Sequence, residues 1–419
     1  MKRILFNALG CFKKVLQFGP RGVLGYAKTF RYRYRVRRAL LASRRGGVPE
    51  RGITLVGCFT QYGSPSKVVR DFATALKKAG VPFQTFNFDP APQSSIAEEM
   101  RELLTPAADF HLDRFDHIVE MIPGVVPASV AIPRARIAFW EFDSGFLYAY
   151  PEMPYEERVI AMSDFNAAYF RSILPERVKV SKVLYPFQWE ELRDIPERDE
   201  VRRRYSIPPA AMAVLFNFDY GAGYHRKNPR GALQAFALAF RDIHDVQMVI
   251  KTKSAATHGE RRADLIQFAQ DLGIAERTTF IDDALPQRDL FGLVAACDVY
   301  LSLHRGEGFG ITLAEAMSMG KPVVSTDWSS TTEFCKPNCT LSVPYRIVPV
   351  DPEQKADMPL YETVETYAEP DTTAAAAALK RLYDDSAFRT ALGERARVSI
   401  MRQFSTEAFR ASINDFLAE

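Results

Sequence analysis

The stretch DVYLSLHRGEGFGITLAEAMSMGKPVVST, from Asp298 to Thr326, decides the fold reading of this 419-residue chain. DVYLSL and KPVVST are short apolar runs of the kind that form buried strands, and ITLAEAMSMG between them reads as a helix ended by Gly320. Between the first strand and that helix runs Gly308-Phe309-Gly310, flanked by Glu307 and Glu315 with seven residues between the two carboxylates. A glycine-rich turn opening a helix presents free N–H groups and the positive end of the helix dipole, a natural seat for an anion. In an open α/β sheet such a turn lies beyond the carboxyl ends of the strands, where ligands bind. Carboxylates on either side can accept hydroxyl hydrogen bonds. A phosphate beside a polyol describes a nucleotide sugar.

Glu307–x7–Glu315 around Gly-Phe-Gly resembles the signature of the retaining glycosyltransferases of the group 1 family (family 4 type). The resemblance runs from about Ile53 to the C-terminus and is strongest from Val214 to Phe334. It implies two Rossmann-like doubly wound domains facing a central cleft, the GT-B fold. It also implies that Glu315 binds the donor ribose and that Glu307 faces the transferred sugar. Gly308, Phe309, Gly310, Ile311, Thr312 and Leu313 would then hold sugar and diphosphate through their amides. The implied donor is a UDP- or GDP-sugar, used with no cofactor and no metal. The chain contains no Asp-x-Asp triplet, which argues against the metal-dependent alternative fold for such enzymes.

The rest of the chain repeats an α/β alternation. ITLVGCF (Ile53–Phe59), a helix from Val68 to Gly80, and VPFQTFNF form a βαβ opening. The turn around Gly63 resembles the family loop over the cleft; an ordinary turn is the equal alternative. AVLFNF (Ala213–Phe218) opens a second half, and a helix with proline in its first turn begins at Pro229. Arg226 and Lys227 precede that helix in a strand-to-helix loop, where a fork and a point charge would meet a diphosphate. The family's usual Gly-Arg after the strand is replaced by Phe218-Asp219-Tyr220, and Lys251 on the next strand is a second candidate cation. Trp140-Glu141 resembles a Trp-Glu subgroup and makes Glu141 an acceptor-side candidate. Ser329 to Glu333 matches either a family turn or a capping box.

Composition narrows the setting. The chain is 47% hydrophobic, ample for buried cores, and its five scattered cysteines show neither a disulfide framework nor paired zinc spacing. A reducing cytoplasm is the expected location, with peripheral attachment to the inner face of the cell membrane. Residues 1–49 hold thirteen Lys or Arg and no acidic residue, which leaves 41 basic against 51 acidic in the remainder. Ile4, Leu5, Leu9, Phe12, Val15 and Leu16 recur at helical spacing, and Lys13-Lys14 break any run long enough to span a bilayer. Three readings stand for residues 1–45: an arm on an anionic membrane surface, a nucleic-acid contact through FRYRYRVRR, or a solvated tail.

The expected domains are a basic amphipathic arm (1–48), an acceptor-side domain (49–195), a nucleotide-sugar domain (196–398) and a crossing helix (399–419). The expected activity is transfer of a hexose from a nucleotide-diphosphate sugar to a glycan or lipid-linked acceptor. Two alternatives are a sugar-nucleotide epimerase of the same fold and a non-catalytic relative that uses its basic arm to bind membrane or nucleic acid.

Overall fold

The computed structural model describes residues 32, 34–61, 63–89, 96, 98, 100–121, 126, 130–192, 194–356 and 361–419. The chain divides into two compact units, residues 1–137 with 156–159, and residues 138–155 with 160–419. Six strands build the first sheet: β1 (Glu50–Gly57), β2 (Phe83–Asn87), β3 (Phe115–Glu120), β4 (Arg134–Ile137), β5 (Arg158–Ala161) and β6 (Lys179–Lys182). Their order is β2-β1-β3-β4-β5-β6, and β1 pairs in parallel with β2 and β3. The helix expected near Val68 covers Ser64–Ala79 and stops at Gly80, whose φ of 69° and N–H to Lys77 O make a left-handed cap.

The second sheet holds β7 (Met212–Asn217), β8 (Val246–Lys251), β9 (Thr278–Ile281), β10 (Val299–Ser302), β11 (Val323–Thr326) and β12 (Leu341–Val343). Their order is β12-β11-β10-β7-β8-β9, with parallel registers such as Leu215↔Val249 and Leu301↔Val324. From β7 the chain winds one way through β8 and β9. From β10 it winds the other way through β11 and β12. The gap between β7 and β10 is therefore the topological switch point, where the loops leaving two neighbouring strands part and open a crevice. The strands are apolar along their length because helices cover both faces.

Two features were not legible from the pattern. An antiparallel hairpin, β13 (Tyr345–Pro349) with β14 (Thr366–Pro370), follows β12. The basic N-terminal region also has a docked portion. Residues 34–42 are helical, Leu40 is fully buried in a cluster with Val56, Phe88 and Leu112, and Tyr32 and Val36 pack against that cluster. Tyr32, Val36 and Leu40 lie four apart and so share one helix face. For these residues a solvated tail is excluded; the stripe from Ile4 to Leu16 lies outside the described residues. At the other end, one helix runs Ser386–Gln403, so the expected boundary at 398/399 falls inside it. The last helix, Thr406–Ala418, sits beside β6, with Ser412 Oγ accepting from Leu184 N at 3.3 Å.

Candidate active site

Arg226 and Lys227 follow β7 on a single helical turn, Tyr224–Lys227, where a plain loop was expected. Asn228 then takes the left-handed conformation at φ 57° and caps the next helix, Pro229–Ala239, by accepting from Gly231 N at 3.1 Å. This turn-and-cap aims both cations at the loop leaving β10. Arg226 Nη1 donates to Gly306 O at 2.8 Å and lies 3.8 Å from Glu307 Oε2, and Arg305 N donates to Arg226 O at 2.8 Å. Lys227 Nζ donates directly to Glu307 Oε2. Glu141 completes the cluster, 3.8 Å from Arg226 Nη2.

The loop is held by contacts that admit only small residues. A Cβ on Gly306 would stand 2.7 Å from Glu141 O, and one on Gly310, at φ 94°, would stand 2.6 Å from Thr331 Cγ2. Ser329, itself left-handed at φ 64°, accepts from Glu307 N at 3.0 Å. Such a conformation in a non-glycine residue costs free energy and tends to persist where geometry matters. Asn166 Nδ2 donates to Gly308 O at 3.1 Å and to Ser330 Oγ at 2.5 Å. Glu333 accepts from Asp164 N at 2.9 Å and from Lys182 Nζ at 2.7 Å, so Ser329–Glu333, a 3-10 turn without a side-chain cap, is a clamp rather than a capping box.

Electrostatics follow from burial and neighbours. Burial would raise the Glu307 carboxyl, but Lys227 and Arg226 overcome it and hold the group at about 2. Burial lowers Lys227 below the ordinary lysine range, with Glu307 opposing. Glu141 is raised by burial against the pull of Arg226. His304, fully buried between Ser302 Oγ at 3.0 Å and Trp328 O at 3.2 Å, is pushed by desolvation to about 4 and is neutral near pH 7. Two carboxylates and two cations thus share one partly sheltered corner at the switch point. An incoming diphosphate can take over the cations and free a carboxylate for a sugar hydroxyl.

The remaining candidates fall elsewhere in the fold. Glu315 lies a turn into the helix Ile311–Ser318, 5% exposed, and Gln287 Nε2 donates to it at 3.4 Å. Tyr300 donates to Thr312 Oγ1 at 2.8 Å. Leu313 N already donates to Gly310 O at 3.0 Å, which leaves Ile311 and Thr312 as the amides ahead of the helical ladder. The Phe309 ring is core, stacked on Tyr185 at 5.0 Å and near Phe334 and Phe404. Lys251 ends β8, buried, with Nζ 2.5 Å from Thr252 O. Gly63 caps the helix Ser64–Ala79 in the first unit. Sequence reading missed His304, Asn166 and Tyr361; the last hydrogen-bonds Glu141 and Arg226.

Residues 214–346 match the family model for glycosyl transferases group 1. A D-inositol 3-phosphate glycosyltransferase of Catenulispora acidiphila is 30% identical over 36% of this chain and 35% of its own length. A lipopolysaccharide core biosynthesis mannosyltransferase of Rhizobium meliloti is 23% identical over 52% of this chain and 59% of its own. The chain therefore spans between about a third and three fifths of these two curated relatives. The structure of HepE from Anabaena in complex with UDP and glucose superposes with a TM-score of 0.61 at 14% identity, covering 88% of this chain and 100% of that one. Identity at that level speaks for the fold alone, and the fold is GT-B.

Proposed function

We propose that this chain, whose residues 214–346 match the family model for glycosyl transferases group 1, moves a hexose from a nucleotide-diphosphate sugar to a glycan or lipid-linked acceptor. The observation that carries the reading is the ionised Glu307, paired with Lys227 and Arg226 where the loops of β7 and β10 part. In this reading Arg226, Lys227 and the amides of Ile311 and Thr312 take up the charge that develops on the leaving diphosphate, so the reaction needs no metal. Lys251 adds a further cation and Glu315 accepts the ribose hydroxyls. Glu307 orients the sugar. Departure and attack share one face, which retains the anomeric configuration without a committed enzyme nucleophile. Glu141 serves the acceptor, and Gly63 belongs to the acceptor-side loop.

The matching architecture includes a protein solved with UDP and glucose, and the curated relatives are a D-inositol 3-phosphate glycosyltransferase and a lipopolysaccharide core biosynthesis mannosyltransferase. These support a UDP- or GDP-sugar donor and an acceptor bearing hydroxyls on a glycan or lipid carrier. On this reading residues 49–195 form the acceptor side and 196–398 the donor side, although the helix Ser386–Gln403 runs across the end of the latter. Among the described residues no helix is long and apolar enough to cross a membrane. Exposed Arg35 and Arg38 on the docked helix, with Arg45 just after it, favour contact with an anionic membrane surface on the cytoplasmic side.

A panel of UDP- and GDP-sugars, incubated with the enzyme and resolved by mass spectrometry, tests the reading. Release of nucleoside diphosphate, abolished by Glu307→Gln, is expected. Conversion of one nucleotide sugar into another without release would support the epimerase instead, and inertness toward every donor would refute both.

A further inference from the structure

We propose that Tyr361 is a positioning residue for Glu141, carried to the site by the β13–β14 hairpin, and that its hydroxyl fixes that carboxylate against Arg226 during sugar transfer. The inference rests on the reading of Glu141 as the acceptor-side carboxylate.

Three observations converge on this residue. The Tyr361 ring packs 5.3 Å from Trp140 and 5.1 Å from Phe142, the two neighbours of Glu141 in the chain. Its hydroxyl donates to the Glu141 carboxylate, and Arg226 donates to its oxygen. The segment that follows is seated tightly: a Cβ on Gly145, at φ 81°, would meet Val364 Cγ2 at 3.0 Å and Val364 N at 3.2 Å. Tyr361 therefore sits in a slot formed by residues 140–145.

The hairpin is fastened to the same loop that supplies Glu307. Arg305 donates from Nε to Glu369 Oε2 at 2.5 Å and from Nη2 to Glu369 Oε1 at 3.0 Å, and its guanidinium stacks over Tyr367 at 4.8 Å. Ala368 N donates to Arg305 O at 3.3 Å. A chain of contacts thus runs from the β10 exit through β14 to Tyr361 and Glu141. Phenylalanine at 361 would fill the slot equally well. The hydroxyl is the informative part, because both of its partners are charged groups of the site.

Glu141 is faced by Arg226 and Lys227 from the turn after β7, by Glu307 from the loop after β10 and by Tyr361, with Tyr150 beside Tyr361. Burial keeps the phenol protonated, so it can only donate to the carboxylate, and that bond favours the ionised form of Glu141.

The experiment compares the full-length wild type with Tyr361→Phe, Glu141→Gln and the double variant. It records kcat and KM for the donor found in the panel across about pH 5 to 9, UDP affinity by calorimetry, and denaturant midpoints. For Tyr361→Phe a fall in kcat on the order of tenfold is expected. UDP affinity stays unchanged, and the limb of the pH profile that reports Glu141 moves to higher pH. A wild-type kcat and pH profile would overturn the proposal. So would parallel losses in kcat, UDP affinity and stability, which mark a merely structural role. If the wild type transfers no sugar at all, the preceding reading fails while this one is still judged. Additive effects of Tyr361→Phe and Glu141→Gln on stability would then overturn the pairing.

Discussion

Lys227, on the turn after β7, donates its ammonium hydrogen bond to Glu307, on the loop after β10, and Arg226 lies 3.8 Å from the same oxygen. The loops leaving two neighbouring strands at the sheet's switch point are thus tied by an ion pair, which a diphosphate would have to rearrange under the proposed function.

Breaking one side of that pair strands the other. Glu307→Gln and Lys227→Met are each expected to destabilise the fold by about 3 kcal/mol, the usual cost of leaving one buried partner uncompensated. The double variant should lose less than the sum. Urea unfolding of all four proteins gives the coupling; strict additivity would contradict the pairing.

Acid sensitivity follows from the same group. Glu307 is held at about 2 in the folded chain, well below its ordinary value. Its contribution to stability is therefore fully present above the unfolded carboxyl pKa of about 4.3 and fades as pH falls toward 2. The slope of stability against pH in that window should be shallower in Glu307→Gln, which guanidinium midpoints at successive pH values will read.

A second pH effect belongs to Lys251. Burial and the neighbouring Lys253 lower it to about 8, so it is charged at neutral pH and loses its proton as pH rises through that value. The kcat/KM for donor, which reports the free enzyme, should decline above about pH 8. Lys251→Arg should remove the decline, since a guanidinium stays charged throughout. An unchanged alkaline limb in that variant would take Lys251 out of donor binding.

Glu315 and Glu307 should separate kinetically. Glu315→Ala is expected to weaken UDP binding on the order of tenfold, the loss of hydrogen bonds to a charged acceptor, with a smaller change in turnover. Glu307→Ala should do the reverse. Calorimetry with UDP beside steady-state rates distinguishes them, and identical profiles would count against the two roles.

Gly310 tests the loop itself. Its φ of 94° and the 2.6 Å that would separate a Cβ at this position from Thr331 Cγ2 leave no room for a methyl group. Gly310→Ala should cost about 2 kcal/mol and lower donor affinity with it, because the helix start at Ile311 must shift. Retained stability with full affinity would show the loop to be more forgiving than its geometry.

The sequence was most informative where chemistry and local structure coincide. Glu307, Gly308, Gly310 and Glu315 fall on one strand–turn–helix unit, so spacing alone put them in register, and the positions of Arg226 and Lys227 followed from the helix that Pro229 opens. Phe309 was readable only as part of a motif; its burial against Tyr185, Phe334 and Phe404 depends on segments far along the chain. The docking of Tyr32, Val36 and Leu40 was present as a four-residue repeat but was hidden by the arginines between them.

By itself, then, the sequence determined the alternation of strands and helices, the glycine turn with its two carboxylates, and the charge carried by each loop, because these depend on periodicity and on neighbours within a turn or two. Which charges meet depends on long-range packing. Glu141 reaches Arg226, Tyr361 reaches Glu141, and Asn166 reaches Gly308 across long sequence separations. Such contacts are set by sheet order and packing, which bring together groups that no local pattern relates.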